Sequence, residues 1–228
     1  MNSVAGDSLS RGLRIITDEQ RSNRVDINPQ RNYLATGEVE QESVGQMRVI
    51  AGELKGHPIK AGRRLKIRPT IERVRETLFD ILGEEVIGQS VLDLFAGVGT
   101  LGIEALSRGA EFCIFVESSR ACLNALQENL LRLNLTERSS VVRRPFPQAL
   151  KYLTEIVPVD IIIADPPYEG GWVQKVVDKL EYSSLSRPDT ILVLQHHHKE
   201  SFILNSERES LLKERKIGDT TLTFIKFI

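Results

Sequence analysis

"VLDLFAGVGTLGIEALSRGA", Val91 to Ala110, decides the fold. Val91–Phe95 is an apolar run interrupted by Asp93, the pattern of a strand buried on both faces. Gly97 and Gly99 make a tight turn, and Leu101–Arg108 reads as a helix stopped by Gly109. With Gly102 the glycines spell G-x-G-x-x-G, the spacing that brings backbone close to a ligand at a strand–helix junction. Downstream the same alternation repeats. Strands are expected at Phe112–Val116, Ser140–Arg143, Val159–Ala164 and Thr190–Gln195, with helices at Arg120–Asn134, Pro147–Glu155 and Trp172–Glu181. Lys213–Ile217 and Thr221–Phe227 flank Gly218-Asp219, a hairpin signature. The prediction is an α/β, doubly wound, mostly parallel seven-stranded sheet ending in an antiparallel hairpin.

Upstream of this unit the chain changes character. Residues 1–46 carry five basic and seven acidic side chains, lack periodicity, and read as a disordered extension. Residues 47–83 read as a small basic hairpin and helix, and 84–228 as the α/β domain. Gly52, Gly56 and Gly62 punctuate the hairpin. Ile71, Val74, Leu78 and Ile81 recur as one helical stripe after Pro69-Thr70. Residues 48–75 hold nine basic and two acidic side chains, so the segment is +7 in a chain of net charge −1. A basic segment ahead of an acidic domain suits a polyanionic partner, although a solvated loop would read the same. No apolar run is long enough to span a membrane. The opening residues lack a basic stretch followed by an apolar one, so no secretory signal is expected. Cys113 and Cys122 form no metal or redox pair and read as reduced thiols. A cytoplasmic monomer is expected.

Asp93 discriminates between ligands for the glycine loop. A carboxylate there repels a pyrophosphate in a poorly screened site. It favours a ligand with positive charge and a ribose, which Glu117 is placed to hold at the end of the second strand. S-adenosylmethionine has both, and D-x-F-x-G-x-G resembles the binding motif of Rossmann-like methyltransferases. The candidate cofactor residues are Asp93, Phe95, Ala96, Gly97, Gly99, Thr100 and Glu117. A nicotinamide dinucleotide would require Asp93 to tolerate a pyrophosphate.

"DIIIADPPYEGG", Asp160 to Gly171, puts Asp165-Pro166-Pro167-Tyr168 at the end of another strand on the same sheet edge. Consecutive prolines fix a stiff turn. Asp165 and the Pro166 carbonyl can both accept from an exocyclic amino group, and Tyr168 can stack on its base. This tetrapeptide resembles the catalytic motif of methyltransferases acting on amino nitrogens. Asp165, Pro166, Pro167 and Tyr168 are therefore the candidate catalytic residues. A rigid turn with local Tyr168 packing is the plain alternative.

With both motifs in view, Met47 to Ile228 resembles the RsmD family of bacterial methyltransferases. "MRVIAGELKGHPIKA", "RPTIERVRETLFDIL", "DLFAGVGTLGIEALSRGA", "DPPY" and "GDTTLTF" follow the family order. The resemblance implies a Rossmann-like class I fold and methyl transfer from S-adenosylmethionine to guanine N2 in small-subunit ribosomal RNA, as free RNA or within an assembled subunit. It also implies that the N-terminal hairpin and helix contact RNA, with Arg68, Thr70 and Arg75 as candidates. After the third strand "RRPFPQAL" replaces the family's acidic adenine contact, so Phe146 is expected to stack on adenine instead. The family begins near Met47, so residues 1–46 are expected to be an upstream extension. Adenine-N6 methyl transfer, which shares D/N-P-P-Y, and a non-catalytic RNA-binding module are the competing readings. "QHHH", Gln195–His198, reads as a solvated loop, with no metal site expected.

Overall fold

A computed structural model describes residues 14–16, 47–61, 69–153, 159–168 and 170–228. Its sheet is built from β1 (Arg14–Ile16), β2 (Ser90–Asp93), β3 (Phe112–Val116), β4 (Ser139–Val142), β5 (Ile161–Ala164), β6 (Ile191–His197), β7 (Glu209–Ile217) and β8 (Thr220–Phe227). The helices are α1 (Pro69–Leu82), α2 (Thr100–Ser107), α3 (Arg120–Arg132), α4 (Leu150–Leu153) and α5 (Trp172–Glu181). The strand order is β1-β4-β3-β2-β5-β6-β8-β7, parallel up to β6, with β8 antiparallel to both β6 and β7. The chain winds outward through β2, β3 and β4, then crosses back to β5 and β6. The topological switch point therefore lies between β2 and β5, where ligands bind in open α/β sheets.

Side-chain alternation builds two cores. Val91, Cys113, Phe115, Ile161, Ile163 and Val193 face a layer formed by α1, α2, α3 and the N-terminal hairpin. Leu92, Leu94, Ile114, Val116, Ile162, Ala164, Leu192 and Leu194 face α4 and α5. Each strand is buried on both sides, which is why its sequence is nearly continuous in apolar residues. From α5, Val173, Val176, Val177 and Leu180 are all buried. Each such side chain contributes about 1.5–3 kcal/mol.

The N-terminal hairpin joins the first of these cores through Met47, Val49 and Ile59. Polar clamps fix its position. Glu104 of α2 accepts from the backbone N–H groups of Ile50 (2.9 Å) and Ala51 (3.0 Å). Asn129 of α3 accepts from Lys60 N (2.8 Å) and donates to the carbonyls of Lys60 (3.1 Å) and Val98 (3.0 Å). At Gly52 a Cβ would lie 1.8 Å from the Ser107 carbonyl oxygen, so only glycine permits this approach.

Three expectations are corrected. An eighth strand is present: Arg14–Ile16, inside the stretch read as disordered, pairs with Ser140–Val142 at the sheet edge. The rest of residues 1–46, like Gly62 and Arg68, lies outside the described residues. The histidine run is not a solvated loop. β6 continues through His197 because β8 pairs with it antiparallel as far as His197↔Thr220. His196 is buried, with Nε2 2.9 Å from Thr223 Oγ1. Arg75 is the third, and its placement belongs with the site.

Candidate active site

The C-terminal ends of β2, β3, β4, β5 and β6 open onto a cavity of about 630 Å³. Phe95, Glu117, Phe146, Asp165, Pro166, Pro167 and Tyr168 line it, together with Ile71, Arg144, Pro145, Trp172 and Gln195. The two motifs, some 70 residues apart in sequence, thus meet across the switch point.

The three glycines have separate tasks. Gly97 takes φ +56°, and a Cβ there would meet nothing within 4 Å. Its N–H donates to Glu117 Oε2 at 2.8 Å. Gly99 takes φ +92°, and a Cβ would sit 2.5 Å from Leu126 Cδ1. A Cβ at Gly102 would collide with Phe115 and Cys113, so this glycine lets α2 lie close on β3. Glu117 Oε1 also accepts from Ser118 N (2.7 Å) and Ser119 N (2.6 Å), which orients the carboxylate at the cavity wall. A carboxylate has about four acceptor positions, so Glu117 keeps capacity for a ribose hydroxyl.

Asp93 lies beneath the loop at 1% exposure. Its Oδ2 accepts from Gly102 N at 3.1 Å, while Oδ1 has no hydrogen-bond partner among the described residues. Burial pushes its carboxyl up to about 7, and the neighbouring Asp165 and Glu117 carboxylates add to the rise. Burial also raises Asp165 to about 7. Glu117 and Asp165 line the cavity, and Asp93 lies buried behind its wall, outside the lining; this concentration of carboxyls suits a cationic ligand and disfavours a pyrophosphate. The residues present fit S-adenosylmethionine. Phe146 is buried in the cavity wall and packs on Phe95, with ring centroids 5.6 Å apart, and Phe95 lies 6.4 Å from Trp172. These apolar faces suit a purine. Ala96 and Thr100 lie in the turn and at the start of α2, outside the cavity lining.

At the mouth, Asp165 makes no hydrogen bond among the described residues. Tyr168 is 53% exposed, and its ring stands edge-on to His197 with 6.3 Å between centroids. A flat face offered to solvent beside a carboxyl suits an incoming base.

Of the expected RNA contacts, only Arg75 has a described side chain. Arg68 lies outside the described residues, and Thr70 is placed only as backbone in α1. Arg75 points inward at 2% exposure, donates to the Arg48 carbonyl at 2.6 Å, and lies 3.8 Å from Glu104. It cannot serve as a surface contact in this position. The signal was available: Ile71, Arg75, Leu78 and Leu82 share one helical face. Gln195, Trp172 and Ile71 were also missed as cavity residues.

The histidines gain a third potential ligand from the β7–β8 turn. His197, His198 and Asp219 bring ligand-capable atoms within 4.8 Å of one another. His197 Nδ1 already accepts from Lys199 N at 3.2 Å, and His198 Nδ1 lies 3.2 Å from the Asp219 carbonyl oxygen. The Nδ1 atoms of both histidines are thus engaged with backbone groups.

Among known proteins, the family described as Conserved hypothetical protein 95 matches residues 47–226. Ribosomal RNA small subunit methyltransferase D of Buchnera aphidicola is 35% identical over 156 residues, 68% of this chain and 81% of its own. The solved Escherichia coli protein yhhF, a candidate methyltransferase, superposes with TM-score 0.69 at 30% identity, covering 80% of this chain and 98% of its own. An RNA methyltransferase from Salinibacter ruber, solved with S-adenosyl-L-homocysteine, shares the fold alone: TM-score 0.54, 14% identity, 71% of this chain and 94% of its own. The fold is that of Rossmann-like class I methyltransferases, and the chain belongs to the RsmD family.

Proposed function

We propose that this protein transfers a methyl group from S-adenosylmethionine to the exocyclic N2 of a guanine in small-subunit ribosomal RNA. The observation that carries the reading is Asp165. Its carboxyl opens to the ligand cavity beside an exposed Tyr168 and has no hydrogen-bond partner among the described residues. The ribosomal RNA substrate is supported by the names of the relatives.

The donor supplies a methyl group on a positively charged sulfur. The orphaned oxygen of Asp93 and the acidic surroundings favour that charge, Glu117 is placed for the ribose, and Phe95 and Phe146 for the adenine. On the acceptor side, Tyr168 stacks on the base. Asp165 and the Pro166 carbonyl accept from the two N–H bonds, which keeps the nitrogen lone pair out of the ring and aims it. An N–C bond forms as the S–C bond breaks, and one N–H proton leaves, with Asp165 as the adjacent acceptor. Orientation and preorganised charge do the catalysis.

The protein is read as a cytoplasmic monomer acting on free RNA or an assembled subunit. No helix among the described residues is long and apolar enough to cross a membrane. Labelled S-adenosylmethionine supplied with unmodified small subunits, naked ribosomal RNA and duplex DNA tests the proposal. N2-methylguanosine is expected from ribosomal RNA, with a loss of about 10²-fold or more on Asp165→Ala. N6-methyladenine as the product would move the protein to the adenine class. Binding of S-adenosylmethionine with no product on any substrate would refute the enzymatic reading.

A further inference from the structure

The acceptor side of the cavity has a polar group that the reaction does not use. Gln195 lines the cavity and is half-buried. Its carboxamide makes no hydrogen bond to any described residue. The contrast with Gln174 is direct: that amide donates to Asp178 and to the Ile203 carbonyl, and accepts from Ile203 N. A half-buried amide left open at a ligand cavity is an unspent recognition group.

Its position follows from strand register. β5 and β6 pair in parallel with Ala164 opposite Leu194, so Asp165 and Gln195 are the next neighbours along. Alternation along β6 puts Gln195 on the face of Val193, and both Asp165 and Gln195 line the cavity. Adjacent strands are about 4.8 Å apart, a span comparable to that between N2 and O6 along the Watson–Crick edge of guanine. That edge carries a donor pair at N2, a donor at N1 and an acceptor at O6. Asp165 supplies an acceptor. A carboxamide supplies an acceptor and a donor side by side, which matches N1–H and O6.

We propose that Gln195 reads the target guanine, its Oε1 accepting from N1–H and its Nε2 donating to O6, while Asp165 holds the N2 amino group. The inference rests on the guanine-N2 reading above. It also explains a preference over adenine. With the adenine amino group at Asp165, the next ring atom is an acceptor and the one beyond carries only C–H, so the amide oxygen loses its partner.

The test uses 2-aminopurine, which keeps the 2-amino group and lacks both N1–H and O6. Small subunits are reconstituted with ribosomal RNA carrying guanine or 2-aminopurine at the methylated position. The full chain and Gln195→Leu are compared by kcat/KM, with S-adenosylmethionine binding measured on both. The native protein is expected to prefer guanine by about tenfold to a hundredfold. Gln195→Leu should lower the guanine rate to near that of 2-aminopurine while leaving the latter almost unchanged. An equal preference in both proteins, or none in the native protein, overturns the proposal. If the leucine variant loses S-adenosylmethionine binding, the same-sized Gln195→Glu decides: a narrowed ratio supports the proposal and an unchanged one overturns it. Native protein that yields no N2-methylguanosine refutes the underlying reading first, and the role of Gln195 falls with it.

Discussion

Two carboxylates sit at the two ends of one connected region and are treated oppositely. Glu104, in α2, is fully buried and accepts from Ile50 N, Ala51 N and Arg108 Nε at 2.9 Å, with the Arg75 charge 3.8 Å away. Asp93, at the end of β2, is as deeply buried but has only the backbone N–H groups of Gly102 and Phe95 near it, and keeps one oxygen without a partner among the described residues. Both side chains serve α2, one near its start and one in its second turn. The chain supplies Glu104 with its partners. Asp93 is left short of one, and under the proposed function the charge of the methyl donor would compensate it. Buried carboxylates in folded proteins are normally satisfied, and of these two only Glu104 is.

The comparison can be broken at either carboxylate. The largest effect is expected at Glu104. Glu104→Ala removes two backbone caps of the hairpin and leaves Arg75 as an uncompensated buried charge, so thermal or denaturant unfolding should show a loss of about 3–5 kcal/mol. A loss below about 1 kcal/mol would mean that the hairpin docks by its apolar contacts alone.

Asp93→Asn should do the reverse. The folded carboxyl is pushed up to about 7 from an ordinary value near 3.8, so the folded state binds more protons than the unfolded state between those values. Stability of the native protein therefore falls as pH rises from about 4 to about 7, and levels off above. The asparagine variant should lose part of that slope and be more stable at pH 8 by on the order of 1–3 kcal/mol, while binding S-adenosylmethionine far more weakly. Parallel stability–pH curves for the two proteins would remove Asp93 as the source. Unchanged binding would remove it as the ligand's counter-charge.

Tyr168→Ala sharpens the acceptor side. A base–aromatic stack is worth about 1–3 kcal/mol, so KM for the RNA substrate should rise by roughly 5- to 150-fold with S-adenosylmethionine affinity unchanged. A fall in cofactor affinity instead would assign Tyr168 to the donor side.

Much of this arrangement was legible in the sequence, because strands buried on both faces write themselves as apolar runs. Val91–Phe95, Phe112–Val116 and the strand before Asp165 were found within two residues of their ends, and Trp172–Glu181 matched the helix. Asp93 and Asp165 could be singled out because a carboxylate at the end of such a run has no packing reason to be there. What remained hidden depended on partners distant in sequence. His196 reads as polar, yet Thr223 on β8 gives it a buried hydrogen bond. Arg75 stood in a cluster of positive charge that masked its place on the apolar face of α1. Gln195 had no motif around it, and only the register between β5 and β6 sets it beside Asp165. Three residues at Arg14–Ile16 carry too little pattern to announce an edge strand.

The Glu104 clamp also supplies two protons that act as a clock. The amide hydrogens of Ile50 and Ala51 end on a carboxylate that water does not reach. They can exchange with solvent only when the hairpin lifts from α2, whether or not the sheet beneath opens. Their exchange rate, set against that of an amide inside β2 or β5, therefore times the lifting of the hairpin separately from the unfolding of the protein.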